Sequence, residues 1–192
     1  MNVLEELKGA ETVGITGHVR PDGDCIGSCL GLYTYIVEQY PEKQVTLLLE
    51  PVQEKFSFLK YADQITQKKE STEPYDLFFS LDCSDTERLH EFKKYFEEAK
   101  YKICVDHHFT NQGFGDLQFI VPDASSTCEV LFSMFDWEKI PLPVHRIYTW
   151  VLFMIQVYSN IPIQQERRWR QQVLYLKKES IQTVSYTHLT LP

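Results

Sequence analysis

The stretch 17–28 constrains the fold most, because it joins a short apolar run to a segment with helical periodicity. The run 12–17 predicts a buried strand, and the apolar residues after the turn recur at helical spacing as far as Tyr40. The turn carries three side chains of metal-binding types, which are His18, Asp22 and Asp24. Ligand sites in open α/β sheets lie at the carboxyl ends of strands, where this turn falls. The stretch predicts either a divalent-metal site or a hydrogen-bonded loop.

Apolar runs and helical patterns alternate along the chain. Further strands are predicted at 44–49, 76–81, 101–105 and 117–121. Helices are predicted at 2–9, 25–40, 54–60, 85–100, and from Ser125 or Ser126 to 135. Alternation with short links indicates an α/β fold, with a Rossmann-like parallel sheet and helices on both faces.

Composition narrows the class of protein. The 192 residues suffice for one domain and part of a second, and 43% apolar with 24% charged residues is typical of a globular chain. A net charge of -8 argues against a basic face for duplex nucleic acid. Five cysteines without a Cys-x-x-Cys pair suit reduced thiols. The acidic start and the short apolar run 150–157 predict neither a signal peptide nor a membrane span, so we expect a cytoplasmic protein.

Acidic and histidine residues follow two other predicted strands as well. Asp82 closes the run 76–81, and Asp106, His107 and His108 close the run 101–105. One strand-end Asp is commonly a helix cap, but three such ends on one sheet edge are hard to explain structurally. Burying those carboxylates together would cost several kcal/mol each unless cations neutralise them. Two divalent ions about 3.5–4 Å apart would resolve the repulsion and could hydrolyse a phosphate ester.

The order of these motifs resembles the RecJ-like DHH phosphoesterase superfamily over about residues 10–149. The matching residues are His18-x-x-Pro21-Asp22-x-Asp24-x-x-Gly27-Ser28, then Asp82, then Asp106-His107-His108. The segment 122–129 most resembles the nanoRNase/pAp phosphatase branch. The resemblance implies hydrolysis of short oligoribonucleotides and of 3'-phosphoadenosine 5'-phosphate. Two alternatives stay open: a Mn-dependent inorganic pyrophosphatase of the same superfamily, and a non-catalytic metal-binding fragment.

The resemblance also implies two divalent metal ions, expected to be Mn²⁺, and a hydroxide that attacks phosphorus in line. His18 and Asp22 would hold one ion, Asp24 and His107 would hold the other, and Asp82 would bridge them. His108 would face the scissile phosphate as acid or transition-state stabiliser. Asp106 would fix a histidine ring through its other nitrogen.

Four further residues are candidates for substrate binding. Arg20 lies in the first motif loop and could pair with a phosphate, or could be an ordinary solvated side chain. The other three are Ser125, Ser126 and Thr127, which could offer hydroxyls and a helix N-terminus to the site. A simple helix cap is the alternative for this group.

The chain departs from the family pattern after Thr149. The family expects a strand ending in a metal-binding Asp within Gly-Ile-Val-x-Asp-Thr-Gly-x-Phe, but residues 150–163 contain no carboxylate. Codons for this peptide read two bases later can spell that pattern, and the Trp150 and Met154 codons force its Gly and its Asp. We therefore hypothesise that the reading frame has slipped near Thr149.

This hypothesis divides the chain into three segments. Residues 1–149 would be an incomplete DHH domain, 150–180 its out-of-frame remainder, and 181–192 a tail resembling sequencing-adaptor sequence. The second, DHHA1-type domain would be missing, and the intact parent could form an oligomer. We expect an exposed apolar patch at 150–155 and no nucleic-acid binding by the cluster 167–170.

Overall fold

A six-stranded parallel sheet forms the centre of the protein. The computed structural model describes residues 3–135 and 140–159. The strands are β1 (Thr12–Thr16), β2 (Gln44–Leu48), β3 (Ile65–Thr66), β4 (Leu77–Leu81), β5 (Tyr101–Asp106) and β6 (Leu117–Ile120). The α-helices are α1 (Gly23–Gln39), α2 (Lys93–Glu98), α3 (Thr127–Met134) and α4 (Leu142–Ser159). Shorter 3-10 helices cover Val3–Gly9, Glu54–Phe56, Ala62–Gln64 and Thr86–Phe92.

The strand order is β3-β2-β1-β4-β5-β6, so the chain starts in the middle of the sheet. Val13 in β1 lies opposite Val45 on one side and Leu77 on the other. The chain builds outward from β1 through β2 and β3, and then crosses back to place β4 beside β1. Such a reversal opens a crevice at the carboxyl ends of the strands. The predicted parallel α/β fold is confirmed, and its ligand crevice falls between β1 and β4.

Helices cover both faces of the sheet, as predicted. Helix α1 is buried without interruption from Cys25 to Ile36, because it lies between the sheet on one side and α3 and α4 on the other. A smaller core on the opposite face packs Phe78 of β4 against Phe96 of α2. Every residue of β4 is buried, which explains its apolar run without polar alternation. The strand that carries Asp82 is therefore held rigidly from both faces.

Three local predictions are wrong in part. The helix predicted at 85–100 is a 3-10 helix followed directly by a short α-helix, and the 3-10 helix is kinked at His90, whose φ of 49° lies in the left-handed region. The helix predicted at 54–60 is a single 3-10 turn. Strand β3 was missed, because two residues are too few to show alternation. Asp85 does cap its helix, accepting a hydrogen bond from the backbone N of Arg88 at 3.1 Å.

The family pattern has a strand after Thr149, whereas the structure has the helix α4 there. A short apolar run does not distinguish a buried strand from a buried helix by periodicity, and here packing against α1 decides for the helix. The expected exposed patch is also wrong for its first two residues. Trp150 packs edge-on against Phe56 at 5.6 Å between ring centroids, and Val151 is buried.

The rest of that segment falls outside the described part of the protein. This applies to the side chains of 152–155 and to all of 160–192, which include most of the predicted out-of-frame remainder and the whole predicted tail. Among the residues that are described, no helix has both the length and the apolar character required to cross a bilayer.

Close approach of α4 to α1 generates a stability prediction. A Cβ on Gly31 of α1 would overlap the ring of the fully buried Tyr148 in α4. Overpacking a core costs about 1–3 kcal/mol, which exceeds the gain of about 1 kcal/mol in helix propensity from Gly to Ala. We therefore expect Gly31→Ala to lower the free energy of unfolding in a urea titration by about 1–2 kcal/mol.

The matched control is Gly23→Ala in the first turn of the same helix, where an added Cβ meets no atom within 4 Å. This variant should be as stable as the unmodified chain, or slightly more stable. Equal stability of the two variants would contradict the packing of α4 on α1.

Candidate active site

Asp82 lies at the centre of the crevice, between histidines from two other strand ends. Its Oδ2 is 3.6 Å from Nε2 of His18, and its Oδ1 is 3.8 Å from Nε2 of His107. Asp22 lies beyond the first histidine and Asp24 beyond the second, at 3.8 and 3.6 Å from the same nitrogens. The structure thus brings together all five residues predicted as metal ligands.

The turn after β1 is held by the start of α1. Asp22 is the N-cap, and its Oδ1 accepts hydrogen bonds from the backbone N of Asp24 at 3.0 Å and of Cys25 at 3.1 Å. Arg20 and Asp82 both have positive φ, of 54° and 56°. Such non-glycine residues cost of order 1 kcal/mol and persist where the surroundings hold them, commonly at functional sites. The strained turns aim the carboxylates into the crevice.

Asp24 connects the turn to a second helix. Its two oxygens accept hydrogen bonds from the backbone N of Thr127 at 2.8 Å and of Cys128 at 3.0 Å, in the first turn of α3. The hydroxyl of Thr127 donates to Oδ1 of Asp82 at 2.9 Å. A helix N-terminus stabilises a nearby negative charge, so α3 fixes both the position and the charge of the carboxylates.

Crowding of these groups shifts their pKa values. Burial, and then the negative charge of Asp82, raise the pKa of Asp24 well above its usual value. Burial lowers the pKa of His18, but the close carboxylates of Asp22 and Asp82 outweigh that effect and raise it to about 11. Burial raises the pKa of Asp22, yet its contact with His18 brings it down to about 2. The site therefore stabilises a positive charge that lies among these carboxylates.

The donor set fits divalent cations. Two ligands each about 2.1 Å from one ion are separated by about 3.0–3.5 Å, slightly less than the nitrogen–oxygen distances found here. Two groups of ligand atoms lie within 4.8 Å of one another, namely His18, Cys25 and Asp82, and Asp82, His107 and His108. Asp82 belongs to both groups, as a bridging ligand would. Imidazole and carboxylate donors suit ions of the Mn to Zn range.

His108 and Asp106 form a contact of their own beside this centre. Nδ1 of His108 lies 2.7 Å from Oδ1 of Asp106, which is fully buried. A carboxylate only accepts hydrogen bonds, so Nδ1 carries the proton and Nε2 is available to the crevice. His108 is about one third exposed, which leaves its ring accessible to a substrate.

The predicted substrate-binding residues have different surroundings. The backbone N of Arg20 donates to Glu50 at 2.7 Å, and its exposed guanidinium has no hydrogen bond or ion pair with the described residues. Ser125 donates from its backbone N and its hydroxyl to Glu129, at 2.8 and 2.7 Å. Ser126 is the N-cap of α3 and accepts from the backbone N of Glu129 at 3.0 Å. The cap alternative therefore holds for Ser126.

Sequence reasoning missed three contributors to the site. Cys25, which was not among the predicted ligands, has its sulfur within one of the two ligand groups. The carbonyl of Ala124 lies 3.2 Å from Nδ1 of His107 and orients that ring. Asn111 binds Asp106 through its side chain at 2.8 Å. Only the adjacency of Cys25 to Asp24 gave any signal, because backbone carbonyls and loop amides carry no distinctive pattern.

Fold and site together define a parallel α/β protein with an acid- and histidine-rich crevice at the reversal point of its sheet. A model of the "DHH family, N-terminal domain" matches residues 12–153. The chain belongs to the DHH family, as its motifs predicted.

Relatives from three bacteria are called "Bifunctional oligoribonuclease and PAP phosphatase NrnA". The protein from Bacillus subtilis (strain 168) is 32% identical over 127 residues, 65% of this chain and 38% of its own length. That from Thermus thermophilus is 30% identical over 70% of this chain and 40% of its own length. That from Mycoplasma pneumoniae is 26% identical over 90% of this chain and 53% of its own length. The chain thus spans about half or less of these relatives, which belong to the predicted nanoRNase branch.

A crystal structure of an exopolyphosphatase-related protein from Bacteroides fragilis has the same fold. It superposes with a TM-score of 0.79 at 21% identity, over 98% of this chain and 59% of its own. At this identity the similarity supports the fold alone.

The contact between Thr127 and Asp82 generates a prediction. Thr127→Val keeps the side-chain shape but leaves a buried carboxylate without its hydroxyl donor. We expect a loss of about 1–3 kcal/mol in the free energy of unfolding, and an affinity for Mn²⁺ lowered by roughly 10- to 100-fold in a calorimetric titration.

Thr34→Val is the matched control, because the Thr34 hydroxyl is buried without a hydrogen-bond partner among the described residues. That variant should retain its stability and its metal affinity. A Thr127→Val chain that binds Mn²⁺ as tightly as the control would contradict the orienting role of Thr127.

Proposed function

We propose that the chain carries the catalytic centre of a metal-dependent phosphoesterase acting on short oligoribonucleotides and 3'-phosphoadenosine 5'-phosphate. The observation that carries the proposal is the position of Asp82, whose two oxygens face His18 and His107. The relatives named as oligoribonucleases and PAP phosphatases support the choice of substrates. The five free cysteines support a reducing, cytoplasmic location.

Two Mn²⁺ ions would be held on either side of Asp82. His18 and Asp22 would hold one ion, with the sulfur of Cys25 nearby, and Asp24 and His107 would hold the other. Ions bound there supply an activated water nucleophile and positive charge for the phosphate oxygens. The ordering of Asp24 by α3 keeps its two oxygens in place without substrate.

The remaining residues would act on the substrate directly. His108 would face the scissile phosphate through Nε2, and would donate a proton or stabilise developing charge there. Asp106 holds the other ring nitrogen and so fixes the orientation of that proton. The exposed guanidinium of Arg20 would bind a phosphate in a two-pronged contact. Thr127 would also orient Asp82, and all three residues at the start of α3, Ser125, Ser126 and Thr127, would contact the substrate in addition to their bonds within the chain.

The segment after Thr149 affects the turnover that we expect of this chain. We infer that the frame slip removes a ligand Asp of the second ion, so the chain as given would bind metal but turn over slowly or not at all. A frame-corrected chain would regain that carboxylate. Resequencing the gene tests this part independently: an intact frame without an inserted or deleted base would remove the idea.

Turnover assays test the proposed reaction. The given chain and the frame-corrected chain are incubated with Mn²⁺ and either the adenosine bisphosphate, a diribonucleotide or pyrophosphate. We expect the corrected chain to release phosphate from the bisphosphate and to cleave the dinucleotide, and Asp82→Ala to abolish both reactions, because this residue serves both ions.

Asp63→Ala, which alters an exposed carboxylate before β3, is the control and should retain full turnover. Preferential hydrolysis of pyrophosphate would favour the pyrophosphatase alternative. Retained turnover in Asp82→Ala would refute the bridging role.

A further inference from the structure

Asn111 is a buried amide that connects two of the strand ends. It lies in the loop after β5, and it is 7% exposed. Its Nδ2 donates to Oδ2 of Asp106 at 2.8 Å and to the carbonyl of Cys83 at 3.0 Å. Its Oδ1 accepts from the backbone N of Gly113 at 2.8 Å. Nδ2 also lies 3.5 Å from Sγ of Cys104. Only this orientation of the amide suits its two oxygen acceptors and the one N–H donor.

These bonds determine how the carboxylate of Asp106 is turned. With Oδ2 held by Asn111, Oδ1 accepts from Nδ1 of His108 at 2.7 Å and from the backbone N of His107 at 2.8 Å. Asp106 is therefore the acceptor in all three of these hydrogen bonds. A carboxylate fixed at both oxygens cannot rotate away from the imidazole. The His108 ring is thus held with its proton on Nδ1.

A backbone hydrogen bond also holds Asn111 close to His108. The N–H of Asn111 donates to the carbonyl of His108 at 3.1 Å, so a turn brings the amide back under the histidine. Cys83, whose carbonyl Asn111 also binds, directly follows Asp82. One side chain therefore bridges the strand end that carries Asp82 and the strand end that carries His108.

We propose that Asn111 is a positioning residue, which fixes the Asp106 carboxylate and through it the ring orientation and tautomer of His108. The importance of that tautomer for catalysis rests on the proposed function. The ring state itself is a property of the chain and is measurable without turnover.

The test is NMR of the ring nitrogens in the full ¹⁵N-labelled chain, with metal removed by chelation. In the unmodified chain we expect His108 as the Nδ1-protonated tautomer, with slow exchange of that proton and of the Asn111 amide protons. Asn111→Leu, which keeps the branched shape without a donor, and Asn111→Ala should speed exchange of the His108 ring proton roughly tenfold. This corresponds to about 1.4 kcal/mol, the worth of a hydrogen bond to a charged group.

Two controls separate positioning from general loosening. Gln112→Ala changes the exposed neighbour of Asn111 and should leave His108 as in the unmodified chain. The ring of His107, which contacts the Ala124 carbonyl, should keep its signals in every variant.

Unchanged His108 signals in both folded Asn111 variants would overturn the proposal. Equal changes at His107 and His108 would also overturn it, because Asn111 would then only close its loop. An Nε2-protonated His108 in the unmodified chain would refute it without any variant. A failed turnover assay would count against the proposed function and would leave these ring measurements unaffected.

Discussion

The structure depends on accommodating buried negative charge around Asp82. This carboxylate is almost fully buried, and Asp24 and Asp106 lie close by with little or no exposure. Uncompensated, such an arrangement would cost several kcal/mol for each charge. The protein compensates in part with its own groups, because Asp22 and Asp82 raise the pKa of the neighbouring His18 and Thr127 donates to Asp82. Divalent cations would complete the compensation, and this requirement links the fold to the proposed chemistry.

Two helix N-termini complete the arrangement. Asp22 caps its own helix, whereas Asp24 takes the first free N–H groups of α3, a helix more than a hundred residues away in the chain. These carboxylates therefore act as caps and as candidate ligands at once. Helix α1 cannot shift relative to α3 without breaking the site. The packing of α3 and α4 on α1 thus contributes directly to the geometry of the crevice.

The sequence predicted those parts of the fold and site that depend on local pattern. Strand ends with acidic and histidine residues were recognisable because each motif is contiguous and follows an apolar run. The kink at His90 was not predictable, because no Gly or Pro marks it in the sequence. The helix α4 lies where the family pattern has a strand, and an apolar run of that length does not by itself distinguish the two. Asn111 was missed because an Asn beside glycines is typical of an ordinary loop, and only the fold brings it to Asp106.

The most direct test of the central claim is the number of Mn²⁺ ions that the chain binds. Equilibrium dialysis with metal analysis, combined with electron paramagnetic resonance, counts the ions and detects magnetic coupling between neighbours. The two-metal interpretation predicts two ions in the frame-corrected chain, coupled through a shared ligand. It also predicts a gain of at least about 2.7 kcal/mol in stability at a hundredfold excess of metal over the dissociation constant. Uptake of no Mn²⁺, or coupled uptake that persists in Asp82→Asn, would contradict it.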